Sequence, residues 1–232
     1  RFLLLALSDL QAEAGLSTPP QDREHALRLY NHAGLLVDTI SSFVAVFHLA
    51  QAFHDDSTPD PLVAAAGKRV LLLPMRQLLE WSHITPAIAN IYLFENPQVF
   101  EEVVSAQETT ASPPTLVCTS GWPSVAALTL LDRLLAASPA ARLFYSGDFD
   151  LKGLQITAYM LARYPGRCLP WHMDTGAYLL ALQSHGVPAR ANELDALATL
   201  ADQFAPLVAL MREKHIWAYQ EGVTQLLIED LR

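Results

Sequence analysis

From residue 91 onward, short apolar runs alternate with stretches of helical period, and turn-forming residues separate them. Ile91-Tyr-Leu-Phe94, Thr115-Leu-Val-Cys-Thr119, Arg142-Leu-Phe-Tyr145 and Arg167-Cys-Leu-Pro-Trp171 read as four buried strands. The segments that follow them predict helices through Ser105, from Pro123 to about Ala137, from Leu151 to Arg163, and from about Gly176 to Ser184. Pro123 suits the first position of its helix, and Pro165-Gly166 stops the next one. Repeated β-α units of this length imply a parallel sheet with right-handed crossovers. Gly186 to Arg190 reads as a linker, Glu193 to His215 as helical, and Trp217 to Leu231 as a last amphipathic helix.

The pattern before residue 88 is different. Residues 1 to about 56 read as helical, with apolar positions at helical spacing over Arg23–Tyr30 and Leu35–Phe53, the second run interrupted at Ser41-Ser42. Lys68 to Leu73 predicts a short strand ended by Pro74, Met75 to Trp81 a short helix, and Pro86 to Asn90 a lead into the next strand. The expected fold class is α/β: a parallel sheet flanked by helices over residues 88–232, preceded by a mostly α-helical segment over residues 1–87.

Composition narrows the classes. Half of the 232 residues are apolar, enough for a substantial core, yet no stretch reaches the roughly 18 uninterrupted apolar residues of a membrane span. Phe2-Leu-Leu-Leu-Ala-Leu7 is too short for one and lacks a secretory cleavage pattern, so the expected location is cytoplasmic. The chain opens on Arg1, as a piece of a longer protein would. Cys118 and Cys168, one in each of two strand-like runs, read as buried thiols. A net charge of −9 argues against a broad electrostatic grip on nucleic acid, though not against an enzyme that receives a phosphodiester through cations.

The chemistry concentrates where strands end. Asp148 and Asp150 follow the third strand of the series, two apart in a tight turn, so that their carboxylates can converge. Glu95 follows the first. Ligand sites of open α/β sheets lie at that edge. Carboxylates held together repel unless a proton or cation lies between them, and hard oxygen ligands of this kind suit Mg²⁺ or Mn²⁺. The plainer reading of the aspartates is that they cap the next helix. His48, His54, Asp55 and Asp56 could be drawn as a second metal cluster, but His54 to Asp60 reads more simply as a solvated loop.

Phe94-Glu-Asn-Pro97, Leu116-Val-Cys-Thr-Ser-Gly121 with Pro123-Ser124, and Tyr145-Ser-Gly-Asp-Phe-Asp150 together resemble the Toprim domain of topoisomerases, primases and related nucleases. More narrowly, they resemble the Toprim nuclease subunit of Wadjet-type SMC-like plasmid-defence systems, a relative of the DNA-cleaving subunit of type IIB topoisomerases. Asp174 and Tyr219-Gln-Glu-Gly222 match too, and Asp38-Thr-Ile-Ser-Ser42 more faintly. The resemblance implies a Rossmann-like Toprim fold and Mg²⁺- or Mn²⁺-dependent cleavage of double-stranded plasmid DNA. It implies SMC-like complex subunits as partners, and a homodimer. It assigns metal binding and catalysis to Glu95, Asp148 and Asp150. Glu221 and Asp174 are candidate supports, against a solvated helix face and a helix cap. Ser120, Ser124 and Lys152 are candidate phosphate contacts, against ordinary capping for the serines, and the family has a small residue where Lys152 stands. Related topoisomerases carry their nucleophilic tyrosine upstream of the Toprim domain. Tyr30 is the one tyrosine before Tyr92 and its apolar setting suggests packing, which favours metal-activated water.

Two rivals remain open. One is a phosphatase of the haloacid dehalogenase type, whose Asp-x-Asp belongs to the first strand and gives Glu95 no role. The other is a Toprim-like scaffold that binds DNA or protein without cleaving.

Overall fold

The computed structural model describes residues 38–232. Ten strands are found among them. A six-stranded sheet is built from β1 (Phe43–Phe47), β3 (Val70–Pro74), β5 (Asn90–Phe94), β6 (Thr115–Cys118), β7 (Arg142–Ser146) and β8 (Cys168–Pro170), in the order β3-β1-β6-β5-β7-β8. The four strands expected from the pattern are parallel neighbours. β1 runs antiparallel to both β3 and β6. The result is a mixed α/β, Rossmann-like sheet with helices on both faces.

Each face buries one set of alternating strand residues. Leu93, Val117, Leu143 and Tyr145 meet the helices α4 (Val125–Ala137) and α5 (Leu151–Arg163) in one core. Phe47, Phe94, Leu116 and Cys118 meet α3 (Pro97–Gln107), α6 (Thr175–Ser184), α8 (Ala201–Lys214) and α9 (Thr224–Asp230) in the other. Burial on both faces is why these strands read as continuous apolar runs. Both cysteines are free and buried. No helix among the described residues is long and apolar enough to cross a membrane.

Several expectations are corrected. The helix expected over Leu35–Phe53 is instead β1 and β2 (Leu49–Phe53), with residues 35–37 outside the described residues. His48 between the strands has φ 58°, which no right-handed helix accommodates. β2 pairs with β4 (His83–Pro86), which ends where the expected lead-in from Pro86 to Asn90 begins and was not itself expected. The described part of the segment before residue 88 is therefore strand-rich rather than helical, apart from α1 (Pro61–Ala66) and α2 (Met75–Glu80), and two of its strands extend the main sheet. The reading of Arg23–Tyr30, with Tyr30, lies outside the described residues. The expected linker at Gly186 is the strand β9 (Gly186–Pro188), paired with β10 (Ile216–Ala218). That pairing shortens the expected last helix to β10, a 3-10 turn at Gln220–Val223, and α9. The segment expected as one helix over 193–215 divides into α7 (Ala191–Ala196), a 3-10 turn at Leu197–Leu200, and α8.

Among the four parallel strands the spatial order is second, first, third, fourth, so the chain crosses over β5 between β6 and β7. Such a reversal opens a crevice outside the carboxyl ends of the two strands it separates. Phe94 and Ser146 are register partners there, and the next residues are Glu95 and Gly147.

Candidate functional site

Glu95 continues β5 for one more residue, its N–H donating to the Ser146 carbonyl at 3.1 Å. Its side chain is only 5% exposed and turns toward β7, where the Asp148 N–H donates to Oε2 at 3.2 Å. Gly147 makes this approach possible: a Cβ there would stand 2.7 Å from Glu95 Oε2. The chain then turns through Asp148 and buried Phe149 into α5. Asp150 caps that helix, its Oδ1 accepting from Gly153 N–H at 2.6 Å. Gly153 is required because a Cβ would lie 2.2 Å from the Asp148 carbonyl oxygen.

The C-terminal segment closes the other side. Phe149 and Ala218 exchange backbone hydrogen bonds of 2.9 and 3.2 Å. Two residues on, the Gln220 N–H donates to Asp148 Oδ1 at 2.9 Å. The Gln220 side-chain oxygen accepts from Asn96 N–H at 3.0 Å, and Asn96 Nδ2 donates to Glu221 Oε1 at 2.7 Å. Asn96 also caps α3. The turn after β10 is thereby clamped onto the ends of β5 and β7.

Electrostatics follow from this crowding. Burial, then the charges of Asp148 and Asp150, lift the Glu95 carboxyl to about 7. Burial lifts Asp148 to about 6, with the charges of Asp150 and Glu221 adding to it and the Gln220 N–H opposing. Tyr219 is pushed up by burial and then by the charges of Asp150, Asp148 and Glu221. The Lys152 ammonium, mostly exposed, stands 3.9 Å from Glu95 Oε1 and offsets part of the negative charge.

These carboxylates fit a hard divalent cation in kind: oxygen donors, one of them buried and under-compensated, at a crevice edge. They do not form a ready-made ligand set, since no group of three or more His, Cys, Asp or Glu among the described residues is disposed to hold a metal. The physical reason is visible in the bonds, because Asp150 is turned to its helix cap and Asp148 to Gln220.

The family model described as "Protein of unknown function C-terminus (DUF2399)" matches residues 71–231, a span that contains every residue of this site. The chain belongs to the DUF2399 family. No curated protein matches it. Within the DUF2399 span, Glu95, Asp148, Asp150, Glu221 and Lys152 come together. Ser120 is exposed on the turn after β6, and its hydroxyl lies 3.5 Å from Cys118 Sγ. Ser124, half-buried, donates to the Phe43 carbonyl and caps α4 for Ala127, so Pro123 precedes the cap rather than opening the helix. Asp174 caps α6 through Ala177 N–H at 2.9 Å. His54 bonds to the Glu80 carbonyl and to Asp60, and His48 to the Pro113 carbonyl, as a structural loop would have them. The sequence reading quoted Asn96, Tyr219 and Gln220 within its matching blocks but gave them no role at the site. Asn-Pro opening a helix and the polar Tyr-Gln-Glu run were visible, but their meeting was not.

Proposed function

We propose that this chain is a metal-dependent DNA endonuclease of Toprim type, the nuclease subunit of a Wadjet-like SMC complex directed against plasmids. The observation that carries the reading is the buried Glu95 carboxyl beside Asp148 and Asp150 at the crossover of a parallel sheet. In this reading Glu95, Asp148 and Asp150 hold Mg²⁺ or Mn²⁺, and Asp150 must exchange its cap for the metal. The bound metal would polarise a phosphoryl oxygen and activate water. Lys152 neutralises charge at the rim, while Asn96 and Gln220 orient Glu221 and Asp148. The SMC-like partners and a homodimer, which would supply two sites for double-strand cleavage, belong to the same proposal.

A second reading, a non-catalytic scaffold for DNA or protein, is favoured by one observation: the carboxylates are committed to protein hydrogen bonds rather than grouped as metal ligands. Cleavage of supercoiled plasmid with Mn²⁺ separates the two. The endonuclease is expected to nick or linearise plasmid, with Glu95→Ala and Asp150→Ala abolishing activity and chelator stopping it. Calorimetric titration with Mn²⁺ that shows no site-dependent binding, together with inactive wild type, would leave the scaffold standing.

A further inference from the structure

Next to the carboxylates, at the same edge of the sheet, the turn after β6 is built in an unusual way. Ser120 and Gly121 are both left-handed, with φ of 54° and 83°, a conformation that Ser rarely adopts. The Gly121 N–H donates to the Glu95 carbonyl at 3.1 Å, which ties the turn to the strand end that carries the buried carboxyl. The next residue, Trp122, is thereby presented on the surface at 49% exposure, whereas Trp81, Trp171 and Trp217 are 1, 6 and 6% exposed. Its ring is steadied edge-on by Tyr159 of α5, with centroids 5.6 Å apart and planes at 63°. Lys152 lies over the same turn: a Cβ at Gly121 would stand 3.1 Å from its Nζ. That ammonium is also the group 3.9 Å from Glu95 Oε1. An exposed indole, an ammonium and a buried carboxyl thus follow one another along the crevice.

Of the four tryptophans, Trp122 alone leaves a ring face half-exposed, while Tyr159 steadies its edge. We propose that the Ser120–Trp122 turn and Lys152 form a nucleotide subsite: Trp122 stacks on an unpaired base and Lys152 takes the adjoining phosphate. The substrate of the site is then plasmid duplex that has been opened locally, for which a single strand is the simplest probe. This rests on the endonuclease reading. Bases inside a duplex have both faces covered by their neighbours, so an indole fixed on a protein surface can stack only where a base face is free. Stacking also suits a protein of net charge −9, because it holds a strand without a broad basic groove.

All four tryptophans emit, but only Trp122 is exposed enough for a base to stack on it, so contact quenching reports on Trp122. The full chain is titrated in chelator with a short oligo-dT strand and with a blunt duplex of equal length. Saturable quenching of tryptophan emission by the single strand is expected, with the duplex bound at least about tenfold more weakly. Trp122→Ala should weaken binding of a labelled single strand about tenfold and remove the quenching, with Trp122→Phe intermediate and circular dichroism unchanged. Equal affinity for the two forms overturns the proposal, as does single-strand binding that neither Trp122 variant alters. The two readings separate cleanly. Cleavage lost in Glu95→Ala, with binding indifferent to Trp122, would retain the nuclease and reject the subsite. Quenching that depends on Trp122, in a chain that never cleaves with metal, would retain the subsite and reject the nuclease.

Discussion

At Glu95 the fold holds a carboxyl where ionisation is disfavoured. Its value of about 7, against an ordinary 4.5, means that the folded state keeps the proton better than the unfolded chain does. Stability from this group is full below about pH 4.5 and is lost as pH rises through 7, the reverse of a salt-bridged carboxylate. Glu95→Gln keeps an oxygen for the Asp148 N–H and removes the charge. In metal-free buffer it is expected to leave stability near pH 5 almost unchanged and to raise it by about 2–3 kcal/mol at pH 8. Urea melts of both proteins at the two pH values measure this. A variant less stable than wild type at pH 8 would show that the Glu95 charge is already compensated.

At the scale of elements, the site depends on a turn that lies far from it in sequence. Gly222 sits against α6 so closely that a Cβ would stand 2.6 Å from Ala181 Cα and 2.8 Å from its carbonyl oxygen. Gly222→Ala must lift the turn, and with it the Gln220 N–H that bonds Asp148. The expected cost is about 1–3 kcal/mol of stability, with hydrogen exchange at the Gln220 amide faster by about tenfold or more. Unchanged protection of that amide would mean that the turn moves without releasing Asp148. The same turn explains what could be read from the chain. The strands β5 to β8 and the helix Leu151–Arg163 were legible because apolar runs end at Glu95-Asn-Pro, Ser-Gly and Pro-Gly punctuation. β1 and β2 were not: Phe43, Ala45 and Phe47 face one way, Val44 and Val46 the other, and all are apolar, so no alternation marks a strand. The aromatic and β-branched content of Phe-Val-Ala-Val-Phe was the available signal. Glu95, Asp148 and Asp150 were legible because each follows a strand. Gln220 was hidden because it acts on Asp148 through its backbone N–H, 72 residues away, and no residue type announces that contact.

The whole molecule carries −9, and its candidate DNA edge is lined by carboxylates with Lys152 at their rim. Such a surface cannot hold DNA by releasing many counterions, because each neutralised phosphate needs a cation to meet it. Metal at Glu95, Asp148 and Asp150 would instead invert the local sign at one point, and stacking would add affinity that salt does not screen. The salt dependence of DNA binding by this chain should therefore be shallow. With Ca²⁺ present in place of a cleaving metal, log affinity against log salt is expected to fall with a slope of about −1, and to flatten further in Lys152→Ala. Fluorescence polarisation over a range of KCl concentrations reads the slope directly. A steep slope that Lys152→Ala does not change would locate the DNA grip on a basic surface away from this crevice. A shallow slope would mean that this crevice meets few phosphates, so that a long-lived hold on DNA has to come from another surface.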